Sequence, residues 1–138
     1  MPNKKINSAS LRLPTKAYSQ GILVPCGNTD ILFITGQLPQ NIEGEIVHIG
    51  DIESQTRVVF DRILNILAEA KMSLDDIVKV QIFLKDINDA KIVSIVRDEL
   101  FQVARPASTL VEVTGFVKEG CGIEIDAIAT KLRTSIYS

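Results

Sequence analysis

Residues 77–85, IVKVQIFLK, alternate with a period of two: Val78, Val80, Ile82 and Leu84 on one face, Lys79, Gln81, Phe83 and Lys85 on the other. This is the pattern of a strand with one face in a core and the other wet or turned to a partner. The period changes on both sides of it. Upstream, Val59, Ile63, Ile66, Leu67 and Ala70 recur at helical spacing, which predicts an amphipathic helix over 52–71. Asp51 is placed to cap it, and Glu53 falls in the first turn, where the helix dipole favours an acid. Downstream, DINDA (86–90) is a turn, with Asn88 the expected cap of a second helix through 101. Pro106 stops whatever precedes it, because the residue before proline is pushed out of the helical region.

Working outward, ILFIT (31–35) is a short apolar run closed by Gly36 and reads as a buried strand. NIEGEIV (41–47) turns at Glu43-Gly44, while TLVEV (109–113) and GIEIDAIATK (122–131) are two further strands. The order β, β, α, β, α, β, β predicts an α+β fold: a mixed sheet with two helices packed on one face. Such a sheet leaves its other face to be covered, and the abundant Ile, Val and Leu suggest that oligomerisation covers it.

At 138 residues, 46% hydrophobic and 23% charged, the chain fits one folded domain over 1–138, with 1–16 expected to be poorly ordered or exchanged between subunits. Aromatics make up only 5%, with no Trp. Net charge is −2, and the 15 Lys and Arg are scattered, so nucleic acid is not an expected partner. The start, MPNKKINSAS, has no apolar stretch after its lysines, and no run approaches a membrane span. A cytoplasmic location without membrane attachment is expected. Cys26 and Cys121 lack metal-ligand or redox spacing and read as reduced thiols.

Individual residues carry less. His48 is the one histidine, with no ligand cluster around it, so no metal site is expected. Cys121 lies between two glycines and reads as an accessible loop thiol with nothing to lower its pKa. Glu124 and Asp126 leave the same face of one strand, about 7 Å apart, a pair able to do acid–base work or simply to lie on a wet face. Glu112 on the adjacent strand adds a third carboxylate or pairs with a lysine. Tyr18 is either a hydrogen-bonding cleft wall or a half-buried core residue. Gly36 and Gln37 follow a strand end, where a turn needs glycine or a ligand needs room.

Taken together, YSQG (18–21), ITGQLP (34–39), GEIV (44–47), residues 51–70, VKVQIFLKDIND (78–89), RPASTLVEV (105–113) and IEIDAIA (123–129) resemble the Rid family, the YjgF-like proteins also known as L-PSP endoribonucleases or translation inhibitors. The resemblance runs over most of 18–130. It implies a YjgF-like, chorismate-mutase-like subunit in a homotrimer, with sheets turned inward and small-molecule clefts at the subunit interfaces. It also implies cofactor-free hydrolysis of reactive 2-imino or enamine acids to 2-oxo acids and ammonia. By motif, Glu124 becomes the water-handling catalytic carboxylate, and Tyr18, Thr35, Gly36 and Asn88 line the cleft.

One family residue does not carry over. Where the pattern reads Pro-Ala-Arg-Ser, with the arginine gripping the substrate carboxylate, this chain reads Pro106-Ala107-Ser108-Thr109. A hydroxyl pair replaces a guanidinium fork, a loss of about 2–4 kcal/mol of transition-state binding for the same substrate, or about 30- to 1000-fold in rate. Ser108 and Thr109 are the expected substitutes, and Arg105, beyond the proline, is the one nearby cation. Lys16-Ala17 stand in place of the family's Gly-Pro, Ala90 in place of a phenylalanine, and about four extra residues lie around 25–30. All three departures are expected at the cleft rim. The sequence thus supports either a deaminase or a trimer that binds ligands without catalysis, with a ribonuclease disfavoured by charge.

Overall fold

Asp51 opens the first helix as its position suggests. In the computed structural model, which describes residues 2–133, its Oδ1 accepts from the Ser54 N–H at 3.1 Å and its Oδ2 from the Ser54 hydroxyl at 2.7 Å. Helix α1 spans Ile52–Glu69, with Val59, Ile63, Ile66 and Leu67 all fully buried. Each such side chain contributes about 1.5–3 kcal/mol on leaving water. Helix α2, Ala90–Leu100, lies alongside α1, burying Val93 and Val96. The Phe60 and Phe101 rings meet edge to face at 5.5 Å where the two helices close on each other.

Both helices cover one face of a six-stranded sheet. The strands are β1 (Lys4–Ile6), β2 (Gly21–Cys26), β3 (Thr29–Gln37), β4 (Ile77–Leu84), β5 (Ala107–Glu112) and β6 (Ile123–Leu132), in the order β1-β2-β3-β6-β4-β5. Neighbours are antiparallel except β4 and β5, which run parallel and are joined through α2. The sheet is mixed, as expected from the helix between those two strands. Ile123, Ile125, Ala127 and Ala129 of β6 point into the core, and Glu124 and Asp126 therefore share the opposite, uncovered face.

Four departures from the sequence reading have identifiable causes. Val78 is not on the core face: the β4–β6 register slips between Ile77 and Lys79, so Ile77 is buried in its place and Val78 is 45% exposed. Asn88 does not cap α2. It sits in a 3-10 turn, Ile87–Asp89, whose cap is Asp86, accepting from the Asn88 N–H at 2.9 Å. Residues 41–47 form only an isolated bridge, Gln40 to Ile46, rather than a ladder.

The fourth concerns residues 1–16, expected to be poorly ordered or exchanged between subunits. Residues 4–6 form β1 against β2 of the same chain. Buried Gln20 ties this segment down, accepting from the Ser8 N–H and donating to the Ser8 and Arg12 carbonyls. Of the expected domain 1–138, residues 1 and 134–138 lie outside the described residues.

Candidate functional site

The β3–β6 ladder slips once, between Ile34 and Gln37, leaving Thr35 and Gly36 in a bulge beside Asp126. Bulges of this kind redirect side chains and often border sites. Here the bulge forms one wall of a pocket of about 640 Å³, whose lining includes Tyr18, Thr35, Gly36 and Glu124. Four of the residues singled out by sequence thus meet in one cavity, of a size suited to a small metabolite. Tyr18 is 59% exposed and lines this pocket, so it is not a core residue.

Glu124 is half-buried on the uncovered face of the sheet and has no hydrogen-bond or ion-pair partner among the described residues. Burial pushes its carboxyl above the ordinary range, and the Asp126 charge adds to the effect. Asp126 is also raised by burial, although Lys79 offsets this. In the amide orientation its surroundings require, Gln81 donates to both Asp126 oxygens at 3.2 and 3.1 Å. Asp126 is therefore engaged, while Glu124 is free to meet a water or a ligand. Glu112, the third carboxylate, neither joins them nor pairs with a lysine. It accepts from the Ile87 N–H at 2.8 Å and braces the turn that carries Asn88.

The other expected residues lie elsewhere. Ser108 is paired with buried Val80 in the parallel register and so points to the helix-covered side of the sheet, opposite Glu124. There it accepts from Arg97 Nη1 at 3.3 Å, and a second opening is lined by Arg97, Arg105 and Ser108. Thr109, in register with Gln81, faces the uncovered side. Arg105 has a left-handed backbone, φ 43°, and its side chain is exposed in that second opening rather than near Glu124. Asn88 is exposed and borders neither cavity. Within one chain, then, the sheet separates Ser108 from Glu124. β5, which carries Ser108 and Thr109, is an edge strand.

Some rim expectations also change. Lys16 does line the Glu124 pocket, but 25–30 extend the β2–β3 hairpin, with Cys26 opposite Thr29, and are not part of that wall. Cys121 is buried, not accessible. Its thiol donates to the Ile123 carbonyl at 3.0 Å, and burial raises its pKa, which disfavours the thiolate a nucleophile needs. No group of three or more His, Cys, Asp or Glu among the described residues is arranged to hold a metal. No helix among them is long and apolar enough to cross a membrane.

Sequence reading missed the charge of the pocket. Arg12, Lys16, Arg62 and Lys118 line it against the single carboxylate of Glu124. None of the four makes an ion pair with a described acid. Arg62 carried the one legible signal: three residues after Val59 and four before Ile66, it interrupts the apolar stripe of α1 with a charge.

Comparison with known proteins places this geometry. The family model described as endoribonuclease L-PSP matches residues 9–131. A RutC family protein of Pyrococcus abyssi is 45% identical over 119 residues, 86% of this chain and 89% of that protein. The 3-aminoacrylate deaminase RutC of Acinetobacter baylyi is 39% identical over 107 residues, 77% of this chain and 84% of that protein. Among solved structures, YyfA of Yersinia pestis, from the conserved Rid protein family, superposes with a TM-score of 0.83 at 33% identity, covering 93% of this chain and 98% of YyfA.

Proposed function

Because the chain belongs to the Rid family of YjgF-like, L-PSP proteins, we propose that it is a hydrolytic deaminase of small, reactive 2-imino or enamine acids, releasing 2-oxo acids and ammonia. The observation that carries this reading is the state of Glu124: a half-buried carboxylate, raised by burial and without a partner among the described residues, on the wall shared by Tyr18 and the Thr35–Gly36 bulge. The 39% identity to a 3-aminoacrylate deaminase supports the reaction class.

The chemistry asks for one carboxylate. An enamine acid first takes a proton on carbon to become the iminium. Glu124 accepts a proton from water as the water oxygen bonds to the imine carbon, giving a carbinolamine. The proton then passes from Glu124 to the amine nitrogen. Glu124, a carboxylate again, takes the hydroxyl proton as the C=O forms and the C–N bond breaks. Ammonia leaves, and that proton passes from Glu124 to it or to solvent. A carboxyl raised above its ordinary range by burial suits both directions of transfer. In this reading the Tyr18 hydroxyl hydrogen-bonds the substrate, and Gly36, lacking a side chain, lets the Glu124 carboxyl rest against the bulge.

In this reading the cleft is completed at the interface of a homotrimer. Edge strand β5 of a neighbouring subunit brings Ser108 and Thr109 toward the Glu124 wall, with Asn88 and Arg105 at its ends. The uncovered sheet face supports such an assembly, since Phe33, Val78 and Val111 stand there more than 40% exposed. Serine at 108 favours a second reading, a trimer that binds small ligands without turnover.

A coupled assay separates the two. A serine dehydratase generates 2-aminoacrylate, and 2-oxo acid release is followed with and without this protein. Acceleration that falls at least tenfold in Glu124→Gln, by the usual size of a lost general base, is the expected result. Acceleration untouched by that substitution overturns the role of Glu124. No acceleration, with ligand-induced thermal stabilisation, leaves the binding reading.

A further inference from the structure

The Glu124 pocket contains a cation that the fold does not neutralise. Arg62 is 6% exposed, lines the pocket, and has no acid partner among the described residues. Its Nε donates to Gln37 Oε1 and its Nη1 to the Gln40 carbonyl, both at 3.2 Å. Both acceptors are neutral. Two of the five N–H donors are used this way, and the others have no partner among the described residues. Burying a charge is costly unless an opposite charge meets it, and burial here lowers the Arg62 pKa, with Tyr18 partly compensating.

The support behind Arg62 is rigid. Gln37 is 3% exposed, and its amide nitrogen donates to the Thr35 carbonyl at 3.0 Å inside the β3 bulge. The bulge that forms the Glu124 wall therefore also holds the guanidinium through Nε, with Nη2 left without a partner among the described residues. The Lys118 ammonium already donates to Gln40 Oε1 and the Gly44 carbonyl, and Arg12 Nη1 donates to the Glu43 carbonyl. Among the lining cations Arg62 is buried, held and still has donors to give.

We propose that Arg62 is the anchor for the ligand's carboxylate, a specificity-determining residue that supplies from helix α1 the guanidinium absent at position 108. The ligand class is a small monocarboxylate whose reactive carbon is presented to Glu124. The proposal rests on the small-acid cleft described above, but not on its catalysing a reaction.

The test uses binding, so that it does not depend on turnover. Pyruvate and its uncharged analogue pyruvamide are titrated into wild type, Arg62→Gln, Arg62→Lys and a control on the exposed side of the same helix, Arg57→Gln, by calorimetry, with thermal melts of each variant. Wild type and Arg57→Gln should prefer pyruvate over pyruvamide. Arg62→Gln should lose about ten- to hundredfold in pyruvate affinity with little change for pyruvamide, and Arg62→Lys should fall between. Arg62→Gln should melt no lower than wild type, since an uncompensated buried charge has been removed. Pyruvate affinity unchanged in Arg62→Gln, or a wild type that binds both compounds alike or neither, overturns the anchor. If imine turnover is absent while these binding differences hold, the deaminase reading fails and the anchor stands. Turnover with unaltered binding in Arg62→Gln means the reverse: the deaminase stands and the anchor fails.

Discussion

Gly36 lies directly against the carboxylate of Glu124: a Cβ on residue 36 would stand 2.7 Å from Glu124 Cδ and 2.9 Å from Oε2. No real side chain tolerates that approach, so glycine is required for the carboxyl to rest against the bulge. The atoms met are the far end of a flexible side chain, which can swing away at little cost. Gly36→Ala should therefore leave the melting temperature nearly unchanged while displacing Glu124. Imine hydrolysis should drop about tenfold or more, since an ångström of misplacement is costly in a positioned site. Equal activity in Gly36→Ala and wild type would show that Glu124 does not act from this position.

Glu124 should also reveal itself in stability. Its folded pKa lies above its ordinary value of 4.5, raised by burial and then by Asp126. The protonated form is thus favoured by folding. That stabilisation is fully present below the unfolded value and is lost as pH rises through the folded one. Glu124→Gln, which cannot ionise, should melt higher than wild type at about pH 8, with the gap closing toward about pH 4. Deaminase activity of the wild type should fall over the same raised range as the carboxylate takes up its proton. A variant that melts lower than wild type at alkaline pH would refute the desolvation account.

These site features differ in how far the sequence exposes them. Helix α1 is legible because its cap, its apolar stripe and its length all agree, and the β6 alternation places Glu124 and Asp126 on one face. The bulges at Val78 and at Thr35–Gly36 leave no trace in composition, because one extra residue shifts a register without changing any residue type. Strand β1, only Lys4–Ile6, is too short to show alternation and depends on the distant bonds of Gln20. Arg62 is visible as a charge on an apolar stripe. Its meaning needs the loop carrying Gln40, whose approach to α1 no local pattern encodes.

The two thiols should separate by reactivity. Cys26 ends β2 at an exposed hairpin, whereas Cys121 is 3% exposed, bonded to the Ile123 carbonyl and raised in pKa by burial. A neutral alkylating reagent at pH 8 should label Cys26 in the native protein and reach Cys121 only on unfolding, as peptide mass spectrometry would read. Native labelling of Cys121 at the rate of Cys26 would place the 120–122 loop in an open form.

Position 108 gives the sharpest contrast between two sources of positive charge. Ser108 Oγ already receives Arg97, which is itself held by Asp98 Oδ1 through Nε and Nη2 at 3.0 Å each. Ser108→Arg would add a second guanidinium beside Arg97, a like-charge contact of about 1 kcal/mol in water and more where solvent is thin. If Arg62 already holds the carboxylate, Ser108→Arg should change turnover by no more than about threefold in the wild-type background. In Arg62→Gln the same substitution should recover activity, because the strand guanidinium then fills an empty role. A tenfold gain in the wild-type background would instead mean that the strand position remains the anchor and that Arg62 is structural.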